Sequence, residues 1–251
     1  MIDCAITSGI AVLTIAHGKA NALDIALCEA VAAKFMELRA SDARAVVLTG
    51  QGRMFSAGVD LPLMLEGGAP YVRKFLPALH RLYETVFFHP QPVVAAVNGH
   101  AIAGGCVLAC CADRRLMARD GGKIGLTELL VGVPLPAQAF EVMRFATVPQ
   151  YFSEAVLGAA TYGPEAAVER GFIDEVVEAS ALLERAIAAA QALAALSPIA
   201  FAQAKAQIRQ AVSERMAHSG AATDHAVGEI WAKPETLQYM RDYVARTLKK
   251  N

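Results

Sequence analysis

One stretch constrains this chain more than any other. Residues 93–97 read VVAAV, Asn98-Gly99 follows, and 104–112 read GGCVLACCA. A short, β-branched apolar run introduced by Pro90 and Pro92 is the pattern of a strand buried on both faces, and Asn-Gly marks a turn. A segment that is apolar on every side is the pattern of a helix sunk in a core. Such a helix needs packed layers around it, and 251 residues supply them without disulfides or metals.

The same alternation runs through the first three-quarters of the chain. Residues 10–15 (IAVLTI) and 45–49 (AVVLT) read as strands, with Asp24 placed to cap a helix that carries Leu27, Val31, Phe35 and Leu38. Residues 114–118 (RRLMA) read as a strand. A short helix over 164–171 starts with Pro164 and ends at Gly171, and 172–177 (FIDEVV) read as a strand. From about 180 the pattern is helical. Residues 182–195 are alanine-rich, and Ser197-Pro198 opens a helix with Phe201, Ile208, Val212 and Met216 on one stripe. A last helix is expected over 235–250. Residues 62–90 carry no clear pattern. The expectation is an α/β core, 1–195, followed by a helical region, 196–251, whose apolar faces call for another subunit.

Composition removes several function classes. A formal net charge of −1 lacks the basic surplus of a nucleic-acid or anionic-membrane partner. No apolar run is long enough to span a bilayer. Met1-Ile2-Asp3-Cys4 lacks the layout of a secretory leader, so a cytoplasmic location is expected. Cys4, Cys28, Cys106, Cys110 and Cys111 are odd in number and lack C-x-x-C spacing, which indicates neither a disulfide framework nor a metal site. Gly50-Gln51-Gly52 begins like a dinucleotide fingerprint, but Phe55 stands at the third glycine. Gly99 and Gly104 have phosphate-loop spacing, but Gly105 and Cys106 replace the required lysine and hydroxyl. Ser56 lacks a nucleophile elbow.

The glycines can instead bring backbone N–H groups to a ligand. Ala57-Gly58 lies in a small-residue loop, and Gly104-Gly105 opens the buried helix, where N–H groups lack partners. Two such donors aimed at one oxygen form an oxyanion hole. Spacing alone leaves the plainer alternative open, that the glycines permit tight turns and close packing.

Residues 52–61 (GRMFSAGVDL), 92–113 (PVVAAVNGHAIAGGCVLACCAD), 124–132 (IGLTELLVG) and 161–177 (TYGPEAAVERGFIDEVV) occur in the order and separation of the crotonase, or enoyl-CoA hydratase/isomerase, family. The chain resembles that family over roughly residues 10–177. The resemblance implies a spiral of ββα units, a C-terminal helical region used for trimerisation, and an acyl-CoA thioester substrate. It also implies that the N–H groups of Ala57 and Gly104 form the oxyanion hole. The loop Ala57-Gly58-Val59-Asp60-Leu61 would floor the CoA site, with Lys19, Ala20 and Ala22 near the nucleotide end and Thr127 beside the catalytic position.

The carboxylates select among reactions. Hydratases of the family resemble one another in two glutamates that hold a water; the second matches Glu128, and the first falls on Val107. A side chain at 107 is expected to project toward the thioester. Hydration needs water oriented and a proton delivered, whereas moving a double bond needs one base. The stretch 133–145 (VPLPAQAFEVMRF) replaces the P-G-x-G pattern of hydratases and looks more like the Δ3,Δ2-enoyl-CoA isomerases. Glu128, desolvated by Leu126 and Leu129, is therefore expected to be the catalytic base. Glu141 is the rival carboxylate, with an exposed helical position as its plainer reading. His100 is placed beside the site, Asp60 and Asp113 at loops or helix ends. Lys19, Arg53, Lys249 and Lys250 could meet CoA phosphates.

The expectation is an enoyl-CoA isomerase without a metal or separate cofactor, coenzyme A being part of the substrate, assembled as a homotrimer or dimer of trimers. The alternatives are an enoyl-CoA hydratase or other crotonase-type reaction, and a non-catalytic acyl-CoA-binding oligomer. An RNA-binding role lacks its basic helix.

Overall fold

The computed structural model describes residues 1–247. An antiparallel hairpin, β1 (Ile2–Thr7) and β2 (Ile10–Ile15), opens the chain and leads to α1 (Ile25–Arg39). Asp24 caps α1 by accepting from the Leu27 N–H at 2.7 Å, and Leu27, Val31, Phe35 and Leu38 face the core as their spacing predicts. Then come β3 (Ala45–Gly50), β4 (Met54–Ser56) and α2 (Leu61–Phe87); β5 (Val93–Val97), β6 (His100–Ile102) and α3 (Gly104–Cys110); and β7 (Arg114–Ala118), β8 (Ile124–Gly125) and α4 (Glu128–Val131).

Each of these three units sends its first strand to one sheet and its second to another. The large sheet runs β1-β2-β3-β5-β7-β10, parallel from β2 onward, with β10 (Glu175–Val177) at its edge. The small sheet runs β4-β6-β8-β9, its first three strands parallel and β9 (Thr161–Tyr162) antiparallel to β8. This is the expected ββα spiral. Both β3 and β5 are buried at every position, and α3 is buried along its whole length.

The remaining elements are helical apart from those edge strands. They are α5 (Ala137–Ala146), α6 (Phe152–Leu157), α7 (Pro164–Glu169), α8 (Leu182–Ala194) and α9 (Pro198–Arg215). From α9 the chain passes through a π-helical turn, Met216–Gly220, into α10 (Ala221–Trp231) and α11 (Pro234–Thr247). Both last helices pack back on α2 of their own chain. No single helix among the described residues is long and apolar enough to cross a membrane. Lys249 and Lys250 lie outside the described residues.

Three local expectations need correction. Only Glu175–Val177 of 172–177 pairs as a strand; the Phe172 N–H turns back to the Ala167 carbonyl at 2.9 Å, closing the end of α7. On α9, Val212 is buried but Ile208 is 66% exposed, and the face turned inward carries Lys205 and Arg209 instead. The reason is electrostatic. Asp113, at the start of β7, accepts from Lys205 Nζ at 2.6 Å and from Arg209 Nη2 at 2.8 Å, so α9 docks through ions as well as hydrocarbon. Glu141, expected on an exposed helix face, is buried on α5, paired with Arg215 at 2.6 Å and Arg144 at 3.4 Å.

Candidate active site

Three segments converge on a cavity of about 400 Å³. The first is a ribbon of two loops. The Leu23 N–H donates to the Gly58 carbonyl at 2.7 Å, and the Asp60 N–H returns to the Leu23 carbonyl at 3.0 Å. Ser56, fully buried, donates its hydroxyl to the Asn21 carbonyl at 2.7 Å, and Asn21 Nδ2 reaches the Met54 carbonyl at 2.9 Å. Ser56 is thus a clamp between loops. The ribbon places Ala20 and Ala22 beside Ala57, Val59, Asp60 and Leu61 on one cavity wall.

The second segment is the entry to α3. Ala103 caps it at φ 52°, a left-handed conformation for a residue with a side chain, which costs about 1–3 kcal/mol. Its N–H bonds the Gly125 carbonyl at 2.8 Å, while its own carbonyl accepts from Cys106 and Val107. That geometry puts Gly104 at the first helical position, where the N–H has no partner within the helix. Gly58 packs directly against it. With φ +80°, a Cβ on Gly58 would lie 2.6 Å from the Ile102 oxygen and 3.0 Å from the Gly104 nitrogen, so only glycine permits this approach.

The third segment is β8 and α4. Pairing of Ile102 with Gly125 sets β8 beside β6, which carries Thr127 and Glu128 to the cavity that Gly104 lines. Glu128 accepts from the Thr127 N–H at 2.9 Å. Burial pushes its carboxyl up to about 7, with hydrogen bonds from its own backbone and that of Thr127 opposing the shift. Glu128 is half-buried and lines the cavity. The other lining carboxylate, Asp60, is committed to capping α2 through the Leu63 N–H at 3.0 Å.

The enoyl-CoA hydratase/isomerase family model matches residues 5–246. The chain belongs to this family. It is 32% identical over 210 residues to the carnitinyl-CoA dehydratase of Salmonella typhi, an alignment covering 83% of this chain and 79% of that one. A Mycobacterium tuberculosis structure described as a probable enoyl-CoA hydratase is 29% identical, covers 100% of this chain and 99% of its own, and superposes with a TM-score of 0.81. Another structure of the same protein describes it as an enoyl-CoA isomerase, at 30% identity, 92% and 98% coverage and a TM-score of 0.80. The human mitochondrial Δ3,Δ2-enoyl-CoA isomerase shares the fold, with a TM-score of 0.93 at 23% identity over 100% of this chain and 99% of that one.

Within this family scaffold, the residues expected from sequence fall into two groups. Ala20, Ala22, Ala57, Val59, Asp60, Leu61, Gly104, Thr127 and Glu128 share the cavity. Gly58 supports the wall from behind, and Lys19 and Arg53 are exposed on turns outside it. The Ala57 N–H, expected to be a free donor, bonds the Ala20 carbonyl at 3.0 Å. Val107, expected to project toward the thioester, is fully buried and is not among the residues that line the cavity. Leu126 is buried as expected, but Leu129 is 41% exposed and turns away. His100 is exposed and lies outside the cavity, its Nδ1 accepting from the Lys123 N–H at 3.2 Å.

Much of the inner wall had no sequence signal. Leu79 and Tyr83 come from α2, Leu135 and Ala139 from the approach to α5 and α5 itself, and Trp231 and Tyr243 from the C-terminal helices. Glycine at 68 (φ +55°) breaks α2, and Pro70 and Pro77 lie within it, features that argue against a helix and hide one whose buried Val72, Phe75, Leu79, Leu82 and Val86 nevertheless keep helical spacing.

Proposed function

We propose that this chain moves the double bond of a 3-enoyl-CoA to the trans-2 position, with Glu128 carrying the proton. The observation that carries the reading is a desolvated carboxyl, raised to about 7, facing a mostly apolar cavity beside the Gly104 N–H. A base of that affinity is matched to proton abstraction near neutral pH. The ionised carboxylate takes a proton from C2, and the C–H electron pair enters a dienolate whose charge collects on the thioester oxygen. The Gly104 N–H stabilises that oxygen, joined by the Ala57 N–H once the substrate carbonyl displaces Ala20 as its acceptor. Protonated Glu128 then delivers its proton to C4, leaving the double bond between C2 and C3. No redox cofactor or metal enters this sequence; coenzyme A arrives as part of the substrate.

Lys19 and Arg53 are placed by this reading near the CoA phosphates. The resemblance and the exposed apolar residues Ile199 and Ile208 on α9, 86% and 66% exposed, support a homotrimer or dimer of trimers; a stable monomer in sedimentation at micromolar concentration contradicts it.

Hydration is the second reading, supported by Asp60 as another carboxyl on the same cavity. Val107 lies in the core, and Glu141 lies outside the cavity, held by two arginines. Incubation with 3-enoyl-CoA and 2-enoyl-CoA, followed by mass and chromatographic separation, decides between them. Isomerisation leaves mass unchanged and hydration adds a water; fast hydration of 2-enoyl-CoA overturns the isomerase reading.

A further inference from the structure

The cavity has an orientation set by burial. Ala20 and Asp60 are half-exposed, whereas Leu79, Ala139 and Trp231 are 2%, 1% and 2% exposed. The mouth is therefore at the loops and the blind end at the helices. Trp231 closes α10, and its Nε1–H donates to the Pro134 carbonyl at 2.9 Å. Pro134 sits between Val133 and Leu135, which both line the cavity. The indole is thus held by packing and by a hydrogen bond, with a face on the cavity.

We infer that Trp231 is the stop that sets the longest acyl chain the site accepts. This rests on the acyl-CoA reading of the cavity, but not on which reaction Glu128 performs. A rigid aromatic wall rejects added methylenes by overpacking, because its neighbours cannot move to admit them. The ligand class is a straight-chain acyl thioester, with its methyl end against the indole.

Trp231 is the chain's single tryptophan, so its fluorescence reports this contact in the unaltered protein. The probes are saturated acyl-CoAs from C4 to C16, which cannot isomerise, and the same series with bromine on the terminal carbon. Binding by calorimetry should strengthen with length to a limit and then fall at least tenfold. Bromine quenching should rise sharply at that same limit. Trp231→Leu should move the limit outward by two carbons or more, and Trp231→Phe, which keeps a ring but loses the N–H, by less. Binding without enhanced quenching at any length overturns the assignment, as does a limit unchanged in a folded Trp231→Leu. Should that variant not fold, the quenching series in the unaltered protein still decides. No binding at any length contradicts the acyl-CoA reading itself and removes the assignment with it.

Discussion

The Tyr83 hydroxyl donates to the carbonyl oxygen of Gly104 at 3.0 Å, tying the last turns of α2 to the peptide that begins α3. Tyr83 is 1% exposed, and burial pushes its phenol far above the ordinary range, so it stays a donor at every working pH. Tyr83→Phe removes one buried hydrogen bond while keeping the ring. We expect a loss of about 1 kcal/mol in urea unfolding. We also expect a several-fold fall in kcat with KM little changed, since the Gly104 N–H would be less well aimed. Unchanged kcat would show that the bond does not position the donor.

Gly58 tests the other side of the same junction. Gly58→Ala introduces a Cβ that meets backbone atoms at 2.6 and 3.0 Å and must adopt φ +80°. The loop has to move off α3. The kcat/KM of the proposed isomerisation should fall at least tenfold while the fold, followed by circular dichroism, persists. Activity at the level of the unaltered protein would separate the 57–61 loop from the chemistry.

Asp113 is the structural counterpart of these site residues. It is the counter-charge shared by Lys205 and Arg209, whose side chains are 7% and 3% exposed, and it accepts from the Val93 N–H at 2.8 Å. Desolvation already lowers Lys205 to about 8, with the Asp113 charge opposing it. Asp113→Ala leaves two cations without a counter-charge and should cost at least about 3–5 kcal/mol. A loss below 1 kcal/mol in chemical unfolding would mean that solvent reaches the cluster.

Glu128 links function to stability. Its folded-state value of about 7 lies above the ordinary 4.5, so between those pH values the folded chain binds more protons than the unfolded one. Its contribution to stability is therefore fully present below pH 4.5 and is lost as pH rises through 7. Glu128→Gln should stabilise the protein by about 1–3 kcal/mol above pH 7, and this gain should fade on acidification. A gain independent of pH across that window would show that Glu128 is not desolvated.

The sequence patterns that proved readable were local ones. Asp24 with Leu27, Val31, Phe35 and Leu38 announces α1, and the short apolar runs at 45–49 and 93–97 announce strands β3 and β5. Ala57, Gly104 and Glu128 were visible through the motifs that hold them, and the structure brings all three to one cavity. Contacts between distant segments were not readable. Glu141 looks like a surface residue until Arg215, 74 positions later, meets it. Lys205 and Arg209 interrupt the apolar stripe of α9 because their partner Asp113 is on another element. Strands β4, β6, β8 and β9, of two or three residues each, are too short for a period to show. Trp231 reaches the cavity only because the last helices fold back on α2.

In the proposed reaction one carboxyl, that of Glu128, performs the proton transfer. The most direct test is kcat for isomerisation of a 3-enoyl-CoA by the unaltered protein and by Glu128→Gln at pH 8, with acyl-CoA binding measured alongside. A fall of about two to four powers of ten with binding retained is expected, the usual contribution of general acid–base catalysis. A Glu128→Gln rate within a few-fold of the unaltered protein would contradict it and place the base on another residue, Asp60 first.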